Sequence, residues 1–171
     1  MRRPASVTMD TGIETAEKKL YSHALARKAA IRIVNHQLSD QISILIRADR
    51  KIPPEISHMT GITDEMVRQE GVSFWKAMEK LRDFIGSSPI VSHNVSFDRA
   101  FISEASMRLG EPPLRNICKD TLALAKRRID DIRDYKLETI AEYYHIEVTQ
   151  KHRALADCIT TFQIYEKLNE I

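Results

Sequence analysis

The sequence predicts an α/β fold, a sheet with helices packed on it. Three observations predict it. Apolar residues recur at period two early on: Ile31 and Ile33 within 29–34, then Ile42, Ile44 and Ile46 within 41–47. Helical spacing takes over later, as in Phe74, Met78, Leu81 and Ile85. Between the helical stripes lies a short apolar run, Ile90-Val91, which reads as a buried strand. At 171 residues the chain suits one domain, expected to span 1–171.

The elements follow in order. Residues 7–10 form a short candidate strand. Residues 29–34 and 41–47 pair as a hairpin through Asn35-His36-Gln37. Pro53-Pro54 breaks the pattern. Ser73 is placed to cap the helix that carries Phe74 to Ile85, and 86–89 ends it. Phe97, Phe101 and Ala105 start another helical stripe, which stops near Gly110 and Pro112-Pro113. Residues 121–128 and 137–144 read as helices, and Leu155, Ile159, Phe162 and Leu168 mark the last one.

Composition excludes some classes. Charged residues make up 29%, and no apolar run approaches the roughly 18 residues of a membrane span. The N-terminal Met1-Arg2-Arg3-Pro4 is basic but lacks the apolar stretch of a signal peptide. Cys118 and Cys158 show no metal-ligand spacing. Free thiols and a cytoplasmic setting are therefore expected. The net charge of +2 does not announce a nucleic-acid binder. The basic clusters Lys18-Lys19, Arg27-Lys28, Arg50-Lys51 and Lys126-Arg127-Arg128 read as solvated faces unless a site gives them something to flank.

Three acidic clusters carry the chemistry: Asp10 to Thr15, His93 to Asp98, and His152 to Asp157. Singly, each acid has an ordinary role in a loop or on a helix. Together they suggest a site. Asp98 follows a buried strand and begins a helix, where ligands bind in open α/β sheets. Asp157 is bracketed by Leu155 and Ile159, and an acid beside a core stripe is costly unless compensated. Converging carboxylates repel, and oxygen-only ligands suit Mg²⁺ or Mn²⁺. Two such ions clamp a scissile phosphodiester and activate water. A histidine, with an unperturbed pKa of about 6.5, suits the proton acceptor. On one helix, His152 and Asp157 would diverge by about 140°. His152 is therefore expected on the loop before that helix. His23, His36 and His145 lack acids so placed, and His58 and His93 read as structural.

These clusters resemble the DEDDh (DnaQ-like) class of 3′→5′ exonucleases. That class includes bacterial DNA polymerase III epsilon and PolC-type proofreading domains. Its second motif is matched by His93-Asn94-Val95-Ser96-Phe97-Asp98, and its third by His152-Arg153-Ala154-Leu155-Ala156-Asp157. The connectors Ile52 to Ile56, Thr60 to Val67 and Asp120 to Ala125 also resemble the family, and the likeness runs from about residue 7 to 168. The resemblance implies a ribonuclease-H-like fold with a mixed five-stranded sheet flanked by helices. It implies two Mg²⁺ or Mn²⁺ ions held by Asp10, Glu14, Asp98 and Asp157, with His152 as general base. It places Thr15, Ile62 and Asn94 near the terminal nucleotide, with an apolar wedge around Ile62. The implied substrate is a single-stranded or frayed 3′ end of DNA. RNA is the alternative, as is a catalytically impaired nucleic-acid-binding module. A polymerase partner and a monomer or homodimer are consistent with the family. Proofreading relatives often carry an extension for the polymerase, and no tail is evident after the last helix.

The first motif departs from the family pattern, Asp-x-Glu-Thr. Acids two apart on a strand share a face. Here Asp10 and Glu14 are four apart. Two alignments fit. In one, Asp10 is the family aspartate, with Thr11 and Gly12 forming a bulge. In the other, Gly12 replaces that aspartate. Val7-Thr8-Met9 favours the first, since a strand should precede the aspartate. The stretch from Lys18 to Lys28 also lacks the family's apolar Ile-Glu-Ile-Gly-like strand, so a displaced strand or a loop is expected there.

Overall fold

A computed structural model of the chain describes residues 6–10, 27–47, 51–148 and 154–170, with Asp10 and Met59 described by their backbone. The strands are β1 (Ser6–Asp10), β2 (Arg27–Val34), β3 (Gln37–Leu45), β4 (Ile90–Ser92) and β5 (Cys118–Asp120). They form one sheet in the order β3-β2-β1-β4-β5. β1 pairs antiparallel with β2 and parallel with β4, and β4 pairs parallel with β5. The carboxyl ends of β1, β4 and β5 therefore share one edge of the molecule. The expected mixed five-stranded sheet is observed.

Period two is visible in the packing. Val7, Met9, Ala30 and Ile44 face one core, and Ala29, Ile31 and Ile33 face another. The first core is closed by α3 (Phe74–Ile85) and α4 (Val95–Arg108), through Met78, Leu81, Ile85, Ile102 and Ala105. The second is closed by α7 (Ala154–Asn169), through Ala154, Cys158 and Phe162. Behind α7 pack α5 (Thr121–Arg128) and α6 (Leu137–Tyr143), around Ala125, Ile140, Ile164 and Leu168.

Several elements differ from the sequence expectation. The hairpin turn is Asn35-His36 alone, with φ of 52° and 64°, so β3 starts at Gln37. Two consecutive positive φ values match the twist of the flanking strands. Pro54 does not merely break the chain. It opens α1 (Pro54–Thr60), where its missing N–H costs nothing. Gly61 ends that helix at φ 70°, and Thr63 caps α2 (Asp64–Glu70) by accepting from the Met66 amide. Seven-residue helices are too short to display a period. β5 is three residues long and shows no alternation. β2 pairs with β3 from Arg27 on, with a register shift between Arg32 and Ile33, and of the stretch 18–28 only Arg27 and Lys28 fall within the described residues. Residues 11–26, which include Lys18-Lys19 and His23, lie outside the described residues.

Two helical stripes are rotated from expectation. In α4 the buried line is Val95, Asp98, Ile102 and Ala105, while Phe97 is exposed. In α7 it is Ala154, Cys158, Thr161 and Phe162, while Ile159 is exposed. Small residues at 154 and 158 let α7 sit close on β2, as the Cys158 thiol reaches the Ala29 carbonyl at 3.6 Å. In α4 the inward position is taken by an acid rather than an aromatic ring.

Candidate nuclease site

Asp98 and Asp157 belong to the first turns of α4 and α7, and both turns meet the sheet where β1 ends. α4 begins there because β4 ends at Ser92 and the chain reverses through His93 and Asn94. Asn94 adopts the left-handed conformation at φ 69° in the N-cap position. Asparagine tolerates that region better than most residues. Its backbone amide donates to Asp120 Oδ1 at 3.0 Å. The same oxygen accepts from the Leu122 and Ala123 amides and so caps α5. One carboxylate thus locks the ends of β4 and β5 and the starts of two helices. His93 is a tether, bonded through Nδ1 to Thr121 Oγ1 at 3.0 Å and through Nε2 to the Tyr135 carbonyl at 2.9 Å.

Asp98 is only 4% exposed. A buried carboxylate demands donors or a cation. Ser92 supplies one: its hydroxyl lies within bonding distance of Asp98 Oδ2 and 3.1 Å from the Met9 carbonyl. Its single hydrogen serves two acceptors. That bridge ties Asp98 to the residue before Asp10. On the other side, Ala29 is the cross-strand partner of Asp10, and Cys158 rests on the Ala29 carbonyl. The half-buried Asp157 immediately precedes Cys158. The predicted residues Asp10, Asp98 and Asp157 are therefore anchored around the last two residues of β1. Asp10 is the last described residue of β1.

The remaining predicted residues divide. Glu14, Thr15 and His152 lie outside the described residues. Asn94 is at the site's rim, where its Oδ1 accepts from the Ser96 hydroxyl at 3.0 Å. Ile62 is 5% exposed and packs with Leu45, Ile52 and Val67. Acting as a wedge against a base would require its loop to shift. Sequence reasoning missed Ser92, Asp120 and Lys28 as supports of this site. Asp120 carried a readable signal, a cap residue before an apolar helix. The other two had none. Lys28 is buried one residue from Ala29, with Nζ 4.6 Å from the Phe101 ring centroid.

Two negative observations narrow the chemistry. Burial raises the pKa of Cys118, against a lowering influence from Arg99, so the thiol near Asp98 stays protonated and is a poor nucleophile. A cleft of about 680 Å³ lined by Arg82, Gly86 and Pro112 to Asn116 opens at the opposite end, before β4 and β5 begin. The described ligand candidates at the β1 end, Asp98 and Asp157, are both carboxylates. That fits a hard divalent cation. Among the described residues, no group of three or more His, Cys, Asp or Glu side chains is gathered as a metal site.

Residues 9–165 match the RNase_T family model, described as Exonuclease. The chain belongs to this exonuclease family. Its second and third motifs resemble those of the DEDDh, DnaQ-like branch, and the enzyme class follows from the family: an exonuclease domain, a hydrolase of phosphodiester bonds. The family generally uses divalent metal ions. A PolC-type DNA polymerase III of Caldanaerobacter subterraneus subsp. tengcongensis is 29% identical over 163 residues, 93% of this chain and 12% of that protein. The exonuclease domain spans only about a tenth of the length of the curated relatives it matches. Its fold matches Exonuclease X in complex with 5′ overhanging duplex DNA, with a TM-score of 0.70 and 23% identity over 96% of this chain and 91% of that one. It also matches the nuclease domain of 3′hExo, a DEDDh family member bound to rAMP, with a TM-score of 0.78 and 15% identity over 98% and 92%. Among the described residues, no helix is long and apolar enough to cross a membrane.

The Ser92 bridge yields a prediction. Ser92→Ala leaves the Asp98 carboxylate and the Met9 carbonyl short of a donor in a buried setting. Stability is expected to fall by about 1–3 kcal/mol in urea unfolding. Unchanged stability would remove Ser92 from this role.

Proposed function

We propose that this exonuclease domain removes nucleotides from the 3′ end of DNA by a two-metal mechanism. The observation that carries the proposal is the convergence of the Asp98 and Asp157 helix turns on the strand end that bears Asp10. Asp10, Glu14, Asp98 and Asp157 hold two Mg²⁺ or Mn²⁺ ions. When bound, such ions lower the pKa of the attacking water and offset charge on the scissile phosphate. The protein's own groups do the rest. Ser92 fixes the rotamer of Asp98 through its hydroxyl. Asp120 and His93 hold the turn that aims α4. Neutral His152 accepts the proton lost by water. Thr15, Asn94 and, after a shift of its loop, Ile62 contact the terminal nucleotide. The likeness to PolC-type DNA polymerases III supports DNA over RNA and a place beside a polymerase; a proofreading role there, in the cytoplasm, is part of the proposal. The domain reads as one unit over 1–171, acting as a monomer or homodimer.

A 5′-labelled single strand tests this directly. With Mg²⁺ or Mn²⁺ the strand is expected to shorten as a ladder, and shortening stops with a chelator. Asp157→Ala is expected to slow it by two orders of magnitude or more (on the order of one lost metal ligand and its second-shell support). Binding without shortening by the unaltered chain would instead support an impaired binding module. Faster cutting of a ribo-oligomer than of its deoxy counterpart would reassign the substrate.

The proton acceptor has its own signature. An imidazole accepts a proton only when neutral, so the rate is expected to climb between about pH 5 and 8. His152→Ala should flatten that rise and lower turnover while metal affinity stays within about two-fold. A fully active His152→Ala variant with an unaltered pH profile would exclude the role.

A further inference from the structure

We propose that Trp75 is a stacking platform for a base of the incoming strand, a few nucleotides upstream of the bond that is cut. The inference rests on the nuclease reading and deepens it, by naming how the same site grips the strand beyond its last nucleotide.

Position comes first. Ile46 and Val72 form a parallel bridge just past the end of β3, which places the start of α3 at the same end of the sheet as Asp10. Ser73 caps α3 by accepting from the Lys76 amide, so residue 75 sits in a firmly closed first turn. Both α3 and α4 point their positive dipole ends toward this edge.

Packing comes second. Phe74 meets Trp75 edge-on, with centroids 4.9 Å apart at 78°, and meets Phe101 at 5.8 Å and 90°. Phe101 lies about one helical turn along α4 from Phe97, which neighbours Asp98 in sequence. The rings of Phe101, Phe74 and Trp75 thus form a row that begins about one turn along α4 from the turn carrying Asp98. Lys28 holds its ammonium over Phe101 at the inner end of that row.

Exposure comes third. Trp75, at the outer end of the row, is 42% exposed. The indole is braced from within by Phe74 and open outward. Base stacking needs a rigid π-face and tolerates any sequence, which suits an enzyme that must accept every base. Continuity with the acid site favours a nucleic-acid strand over a protein as the occupant.

Trp75 is the single tryptophan of the chain, so its fluorescence reports this position alone. The probe is an oligothymidylate of about ten nucleotides, added with Mg²⁺ to the Asp157→Ala chain, which keeps the strand intact. The expected result is quenching by the oligomer and none by thymidine monophosphate. Trp75→Ala is expected to weaken oligomer binding, followed by anisotropy, about five-fold or more. Trp75→Tyr should recover most of that loss, which a folding defect would not. Binding seen by anisotropy without any change in tryptophan emission overturns the proposal. Quenching by the strand in a chain whose unaltered form never shortens DNA would sustain the platform and sink the nuclease reading. Shortening without quenching would do the reverse.

Discussion

The burial of the Asp98 carboxylate beside the last residues of β1 is the constraint around which this structure is organised. A carboxylate buried like Asp98 is unfavourable unless donors or cations surround it. The further carboxylates proposed beside it would raise that cost, because like charges at short range disfavour joint ionisation. The fold answers at Asp98 with the Ser92 hydroxyl. Ser92 bridges Asp98 to β1, and Asp120 gathers three backbone amides on one oxygen. The energy for this arrangement comes from two apolar cores on either face of the sheet.

The topology explains why the helix turns that carry Asp98 and Asp157 approach one strand end. β1 and β4 run parallel at the centre of the sheet, so their carboxyl ends coincide. A helix that leaves β4 must start at that edge, and it carries Asp98 in its first turn. α7 crosses the opposite face with Ala154 and Cys158 against β2, which brings Asp157 to the same edge. Residues remote in sequence become neighbours because strand ends and helix starts share one surface.

Much of this was legible in the residues. The period-two strands, the Ser73 cap and the buried Ile90-Val91 run carry their own physical signals, and the structure follows them. The second and third motifs pointed to Asp98, beyond the end of a buried strand where ligands bind in α/β sheets, and to Asp157, bracketed by Leu155 and Ile159. What escaped had no local signal. A three-residue strand such as β5 cannot show alternation, and α1 opened on a proline that reads equally well as a break. The rotation of α4 escaped because a pattern of aromatic rings suggested an apolar face, whereas the inward position belonged to a functional acid. Ser92 and Lys28 gain meaning only from contacts across the sheet.

The central claim is that the carboxylates at the β1 end share metal ions. A crystal structure grown with Mn²⁺, phased to reveal the ion by its anomalous signal, tests it most directly. The account predicts manganese within about 2.0–2.6 Å of oxygens from Asp98, Asp157 and Asp10. Manganese absent from that edge, or Asp10 turned away with Asp98 and Asp157 bound to separate partners, would contradict it.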